Sequence, residues 1–164
     1  VSSEREPPWL QAPALEVVGW IVRGHQAAFG VPLLAGVEPW RPPRLVAQEV
    51  FAADRVVLAH DEDADPRLIY ANAAALRLWR RRWDAMVGMP SRLTAEPRER
   101  EARAEALALA QRRDSLRGYR GIRVDSGGDR FRICNASLWS LRNGQGQACG
   151  QAATFSDWWA LAKY

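Results

Sequence analysis

Apolar positions follow two rhythms along this chain, a helical one in the first two thirds and an alternating one in the last. From about Glu16 to Phe29, Val17, Trp20, Ile21 and Ala28 repeat at helical spacing, and Gly30 with Pro32 gives a stop signal. Residues 1–14 are Pro-rich and read as irregular, with Trp9 and Leu10 as an apolar anchor. Residues 30–43 hold Pro32, Pro39, Pro42, Pro43 and Trp40 and read as a loop. A short helix is predicted over about Arg44–Ala53, burying Leu45, Val46, Val50 and Phe51. The run Arg55–His60 is β-branched and apolar with polar ends, which predicts a strand. Asp61–Pro66 is a turn and Leu68–Ala71 the return strand. Asn72 then caps a helix from Ala73 to about Arg81, with Leu76 and Trp79 on one face, and Leu78 flanking it. A further helical turn, Trp83–Met86, leads to Gly88.

Beyond Gly88 the pattern becomes polar between two prolines: Gly-Met-Pro-Ser-Arg-Leu-Thr-Ala-Glu-Pro, residues 88–97. Pro97 suits the first turn of a helix. That helix is predicted to reach about Arg113, with Ala102, Ala106 and Leu109 on its buried stripe and Glu99 pairing with Arg103 at i,i+4. The remainder alternates as an antiparallel sheet does. Tyr119–Asp125 is one strand and Gly127-Gly128 a tight turn. Arg130–Leu141 is the next strand, expected to place Phe131, Ile133, Asn135, Ser137 and Trp139 on one face. After a turn at Asn143–Gly146, the last strand, Gln147–Phe155, is rich in small residues that leave room above the sheet. Trp158, Trp159 and Tyr164 close the chain.

Length and composition narrow the class. At 164 residues the chain fits one domain with a small appended element, here a helical extension over 1–53 and a core over 54–164. Arg, Asp or Glu interrupts every apolar run before membrane-spanning length, so no membrane segment is expected. The start, Val-Ser-Ser-Glu-Arg-Glu-Pro-Pro, lacks the basic and apolar regions of a signal peptide, and a cytoplasmic location is expected. The formal charge is +4, but the positive charge is arginine scattered among acids, with Lys163 the only lysine. A nucleic-acid partner is therefore not expected; the one dense basic run, Arg80–Arg82, reads as a solvated helix end. Cys134 and Cys149 are placed about opposite Phe155 and Ser140 and read as two free thiols in a reducing compartment.

The order of elements is strand, strand, short helices, long helix, and three strands. It resembles a PAS domain, which implies an α+β fold: a five-stranded antiparallel sheet with crossover helices, here with an N-terminal helical extension. Ile69-Tyr-Ala-Asn-Ala-Ala-Ala75 resembles that family's second strand entering an Asn-capped helix. The resemblance narrows with Ala71–Leu76, Leu78-Trp79, the decapeptide Gly88–Pro97, Tyr119–Arg123, Arg130-Phe131 and Gly150–Phe155. Together these look like the MEKHLA family, a PAS-related domain, over about residues 16–159. That family occurs alone in bacteria and at the C-terminus of class III homeodomain–leucine zipper proteins in plants. The resemblance implies the stand-alone bacterial type, a PAS-like fold and a sensory or regulatory role. It implies no particular ligand, and without a homeodomain or zipper it implies no transcription-factor activity.

The candidate chemistry follows from that placement. In a PAS-like cavity Arg92 could clamp a carboxylate or phosphate, and Glu96 could accept hydrogen bonds or move a proton. Ser91 and Thr94 add hydroxyls, Trp79 an aromatic wall, and Tyr119, Arg123, Asn135, Trp139 and Gln151 a cavity floor, if each faces inward. Equally, Ser91–Glu96 could satisfy buried backbone groups and cap helices. His60 beside Asp61 is the only His–carboxylate neighbour pair. His25 shows no metal-ligand spacing, and the Asp61–Asp65 carboxylates lack the Gly and Glu of an EF-hand loop, so no metal is expected. No nucleophile elbow, phosphate loop, flavin-linking Cys motif or haem attachment motif is visible, and the sequence names no cofactor. Three functions stay open: a small-molecule-binding sensory module signalling through a partner protein, as a monomer or as a homodimer through the N-terminal helix; a small enzyme acting on an anionic molecule; and a ligand-free interaction domain using Trp9, Trp40 or Trp158.

Overall fold

The computed structural model describes residues 4–163; the irregular start read at 1–3 and the closing role read for Tyr164 lie outside the described residues. The elements, in order, are helices α1 (Ala12–Phe29) and α2 (Pro43–Ala52), strands β1 (Val56–His60) and β2 (Leu68–Ala71), and helices α3 (Ala73–Trp79), α4 (Trp83–Met86) and α5 (Arg100–Arg113). Strands β3 (Ser115–Val124), β4 (Arg130–Arg142), β5 (Ala148–Phe155) and β6 (Asp157–Ala160) complete the chain. The strands form one antiparallel sheet in the order β2-β1-β5-β4-β3. The α+β, PAS-like arrangement expected from the element order is the one observed.

Local chemistry accounts for the element ends. Helix α1 starts four residues earlier than the spacing predicts, because Pro13 sits in its first turn, where a missing N–H costs nothing. It stops at Gly30, whose positive φ lets its N–H reach the Gln26 carbonyl. Asn72 caps α3 as expected: its side chain accepts from the Ala75 N–H at 3.1 Å. Pro97 begins a 3-10 turn rather than α5, which starts at Arg100. Glu99 therefore lies outside the helix, and no Glu99–Arg103 ion pair forms among the described residues.

The sheet is covered on both faces. On the outer face Val18, Ile21 and Val22 of α1, with Val46 and Val50 of α2, pack on Val57, Ala59, Tyr70, Trp139, Leu141 and Ala152. The Trp139 indole N–H donates to the Ile21 carbonyl at 3.0 Å. Trp9 stacks on Phe51 with ring centroids 4.1 Å apart, the anchor its position suggested. The inner face carries α3, α4 and α5 over Val56, Leu68, Phe131, Ile133, Ala136 and Phe155. Asn72, wholly buried, joins the layers at one end: its side chain accepts from the Val57 N–H and donates to the Val50 and Arg55 carbonyls.

Expectations about facing and pairing fail in two places, along the irregular strands and on α5. Asn135 has φ +52 and interrupts β4. Tyr119 pairs with Ala136 but Gly121 with Ile133, so an extra residue is absorbed there. Phe131 and Ile133 face inward while Ser137 and Trp139 face outward, instead of sharing a face with Asn135. The last strand is also longer than predicted. After a break at Ser156 it resumes as β6, pairing Asp157 with Cys134 and Ala160 with Phe131. Cys134 thus lies opposite Asp157 rather than Phe155, and Cys149 falls in the register shift opposite Leu141–Arg142 rather than opposite Ser140. Both thiols are free. Finally, α5 presents Arg103, Ala106 and Leu107 to the sheet, in place of the stripe Ala102, Ala106 and Leu109.

Candidate functional site

Small side chains open a space between the inner face and α5. On β5 Ala153 takes the inward position between Gln151 and Phe155, and Ala136 does the same on β4. Leu58, Leu68, Trp79, Ile133, Leu138 and Phe155 line most of the resulting cavity, whose volume, taken as the space open to the centre of a water molecule, is about 60 Å³. That is room for several waters or a small organic molecule. Trp79 is fixed by its N–H to the Thr94 carbonyl at 3.3 Å and by an edge-on contact with Phe131 at 5.1 Å.

Four elements supply most of the polar part of the lining. Strand β3 supplies Tyr119 and Arg123, β1 and β5 supply His60 and Gln151, and α5 supplies Arg103. Arg123 is only 6% exposed; it donates to the Tyr119 hydroxyl at 3.0 Å and to the Ile122 carbonyl at 2.9 Å. The two side chains meet above Gly121, where a Cβ would come within 2.8 Å of both the Arg123 guanidinium and the Tyr119 hydroxyl. Gly121 is the residue that lets this pair form. Gln151 donates to the Leu107 carbonyl at 2.9 Å, tying α5 to the sheet.

Two groups of the lining lack a partner. His60 approaches the Asp61 carbonyl through Nδ1 at 2.7 Å. A carbonyl only accepts, so Nδ1 carries the proton and Nε2 is a bare acceptor. That Nε2 is buried and without a hydrogen bond. Burial, with a further push from Arg103, holds the His60 pKa below its ordinary 6.5. Arg103 makes no hydrogen bond or ion pair among the described residues. Burial first, then the Arg123 guanidinium, push its pKa down to about 10, with Tyr119 acting in the opposite sense. It remains a cation at neutral pH. No carboxylate lines the cavity.

Of the residues singled out in the sequence, the fold brings Trp79, Thr94, Tyr119, Arg123 and Gln151 to this cavity. Ser91 is buried just behind it, its carbonyl accepting from the Thr94 hydroxyl at 2.7 Å. Arg92 turns outward to Asp65 at 3.1 Å. Glu96 faces Arg98 at 3.0 Å and Arg130 at 3.3 Å. Asn135 is exposed at the strand irregularity and donates to Asp157 at 3.1 Å. Trp139 packs on the opposite face, against His25 and Phe29. His60 was singled out only as the neighbour of Asp61, and Arg103 was not among the candidates. Arg103 sits one turn before Leu107 on an otherwise solvated arginine-rich helix, and nothing in that local pattern marks it as the one turned inward. Among the described residues no cluster of metal-ligating side chains occurs, and no helix is long and apolar enough to cross a membrane.

The fold has many solved counterparts. An RNA-binding light-oxygen-voltage receptor superposes with a TM-score of 0.60 at 24% identity, the match covering 78% of this chain and 36% of the receptor. The chain thus spans about a third of that receptor's length. A light-oxygen-voltage domain studied with a flavin analogue gives 0.56 at 15% identity, covering 73% of this chain and 86% of the domain. A PAS domain from Colwellia psychrerythraea gives 0.59 at 12% identity, covering 68% and 92% respectively. At these identities the likeness is one of fold. No curated protein sequence matches the chain. The family model of the MEKHLA domain matches residues 15–160, nearly the whole chain, and the chain belongs to the MEKHLA domain family.

Proposed function

We propose that this domain is a sensory or regulatory module that holds a small molecule between its sheet and α5 and acts through a partner protein. The observation that carries the reading is the cavity itself. It is apolar over most of its wall, with a few convergent polar groups, among them a buried imidazole nitrogen and a guanidinium that lack protein partners. Helix α5, which covers it, has only Ala110 fully buried. A ligand would add contacts to that weakly anchored helix, which gives occupancy a route to the surface.

The residues do not fit a flavin linked through cysteine. Neither Cys134 nor Cys149 lines the cavity, and Cys149 packs against the outer-face cluster. A catalytic reading through Arg92 and Glu96 has no support in the geometry, since both face outward into ion pairs. A homodimer through α1 would have to use the sides of that helix left after Val18, Ile21 and Val22 pack on the sheet.

The test is mass spectrometry of a denaturing extract of purified protein, with an absorbance spectrum and a thermal-shift screen of metabolites. A ligand present at a hundred times its Kd stabilises the fold by about 2.7 kcal/mol, which a thermal shift resolves. A clean extract together with no stabilisation across the screen would remove the ligand-binding reading.

A further inference from the structure

We propose that the cavity takes a small organic anion, a carboxylate or phosphate head on an apolar body, clamped between Arg103 and Arg123; this rests on the small-molecule reading above. Buried guanidiniums are ordinarily paired, because an uncompensated charge loses its hydration. Here two guanidiniums line one cavity, the buried Arg123 from β3 and the half-buried Arg103 from α5, and among the described residues no carboxylate lines it with them. Asp61, the acid next to His60, is otherwise engaged: its carboxylate accepts from the Asp63 and Arg67 backbone N–H groups. The structure therefore contains a site of net positive charge inside an apolar wall, and the counter-charge it lacks defines what fits.

The hydrogen-bond directions agree. Tyr119 accepts from Arg123, so its own hydroxyl proton is free to donate. Arg103 donates to nothing among the described residues, and a guanidinium fork matches a planar carboxylate or a phosphate edge. The bare Nε2 of His60 is the acceptor of the set, matched by a hydroxyl or N–H on the ligand body. The apolar floor of Leu58, Leu68, Ile133 and Phe155, with Trp79, suits a short aliphatic chain or a single ring.

Titration calorimetry at neutral pH with benzoate, phenyl phosphate and the neutral isostere benzamide tests this on the full chain. The expected result is that at least one anion binds tenfold or more tighter than benzamide; which of the two is tighter identifies the head group. Arg103→Met and Arg123→Met are each expected to weaken that anion at least tenfold, and Arg112→Met, on the exposed side of α5, to leave it unchanged. Benzamide binding as tightly as both anions overturns the proposal while leaving the cavity a ligand site, and so do Arg103→Met and Arg123→Met variants that keep full affinity. Because the benzoate–benzamide comparison uses the unmodified protein, it holds even where a variant fails to fold. If none of the three probes binds, the molecule in a denaturing extract decides: an anion upholds the proposal and a neutral molecule overturns it. An empty extract defeats the small-molecule reading and this proposal together.

Discussion

Replacing Arg103 by methionine should stabilise the unliganded protein. Arg103, on α5, is a half-buried cation without a hydrogen-bond or ion-pair partner among the described residues, and it lines the same cavity as a second guanidinium, Arg123. The Arg103 pKa is pushed well below the ordinary arginine value, to about 10, first by burial and then by Arg123. Each pH unit of displacement corresponds to about 1.4 kcal/mol, so holding this charge in the folded state costs up to roughly 3 kcal/mol. A base whose pKa is lower folded than unfolded destabilises at every pH below the folded value, and the penalty fades only as pH rises from about 10 toward the ordinary arginine value. At pH 7 it is present in full. Methionine keeps much of the unbranched stem and removes the charge, so Arg103→Met should gain about 1–3 kcal/mol; at about 2–4 °C per kcal/mol for a chain of this size, the melting temperature should rise by several degrees. Calorimetry or urea titration of ligand-free protein reads this directly. An Arg103 that served the fold would behave oppositely. A fall in stability of more than about 1 kcal/mol would refute the reasoning, since it would mean that the guanidinium has a partner worth more than its desolvation. The gain should shrink when a tight anion saturates the unmodified protein.

Other changes separate architecture from site. Gly121→Ala places a methyl where the Arg123 and Tyr119 termini meet; those ends can swing aside, so urea denaturation should show a loss below about 1 kcal/mol, while calorimetry shows a clear fall in anion affinity. Asn72→Ala removes a side chain making four buried hydrogen bonds and leaves the Val57 and Ala75 N–H groups bare, a loss of about 3–5 kcal/mol by urea denaturation. The pH dependence has a definite sign as well. Burial lowers the pKa of both His25 and His60, with nearby arginines adding to it in each case. The unfolded chain therefore binds protons first. Stability should be level above about pH 6.5 and fall below it, by at most about 1.4 kcal/mol per pH unit for each imidazole. Urea midpoints between pH 8 and pH 5 should show the slope, and His60→Gln should reduce it.

Much of the fold was legible because its signals are local. The β-branched run before His60, the Asn72 cap, the turn at Gly127-Gly128 and the stop at Gly30 each act within a few residues, and each appears where expected. The site was legible only in part. Tyr119, Arg123 and Gln151 could be placed on strands whose alternation holds as far as the cavity. Arg92 and Glu96 could not be placed, because a proline-bracketed turn has no period from which to read a direction. Arg103 was hidden for a different reason. A helix rich in Arg, Glu and Ala presents arginine on every side, and its weak amphipathicity does not tell which one the sheet will cover. Trp139 was misassigned because Asn135 interrupts the alternation without any change in local hydropathy.

That interruption also bears on how this strand can change length. On either side of Asn135 the inward residues of β4 stand in two different phases, odd-numbered before it (Phe131, Ile133) and even-numbered after it (Ala136, Leu138). With a single phase throughout, Trp139 would take the inward place that Leu138 holds and fill the space now open between the sheet and α5. The open interior thus depends on the change of phase at Asn135: straightening the strand there with every residue kept would turn Trp139 inward and close the space, whereas deleting Asn135 would keep Ala136 and Leu138 inward and leave it open.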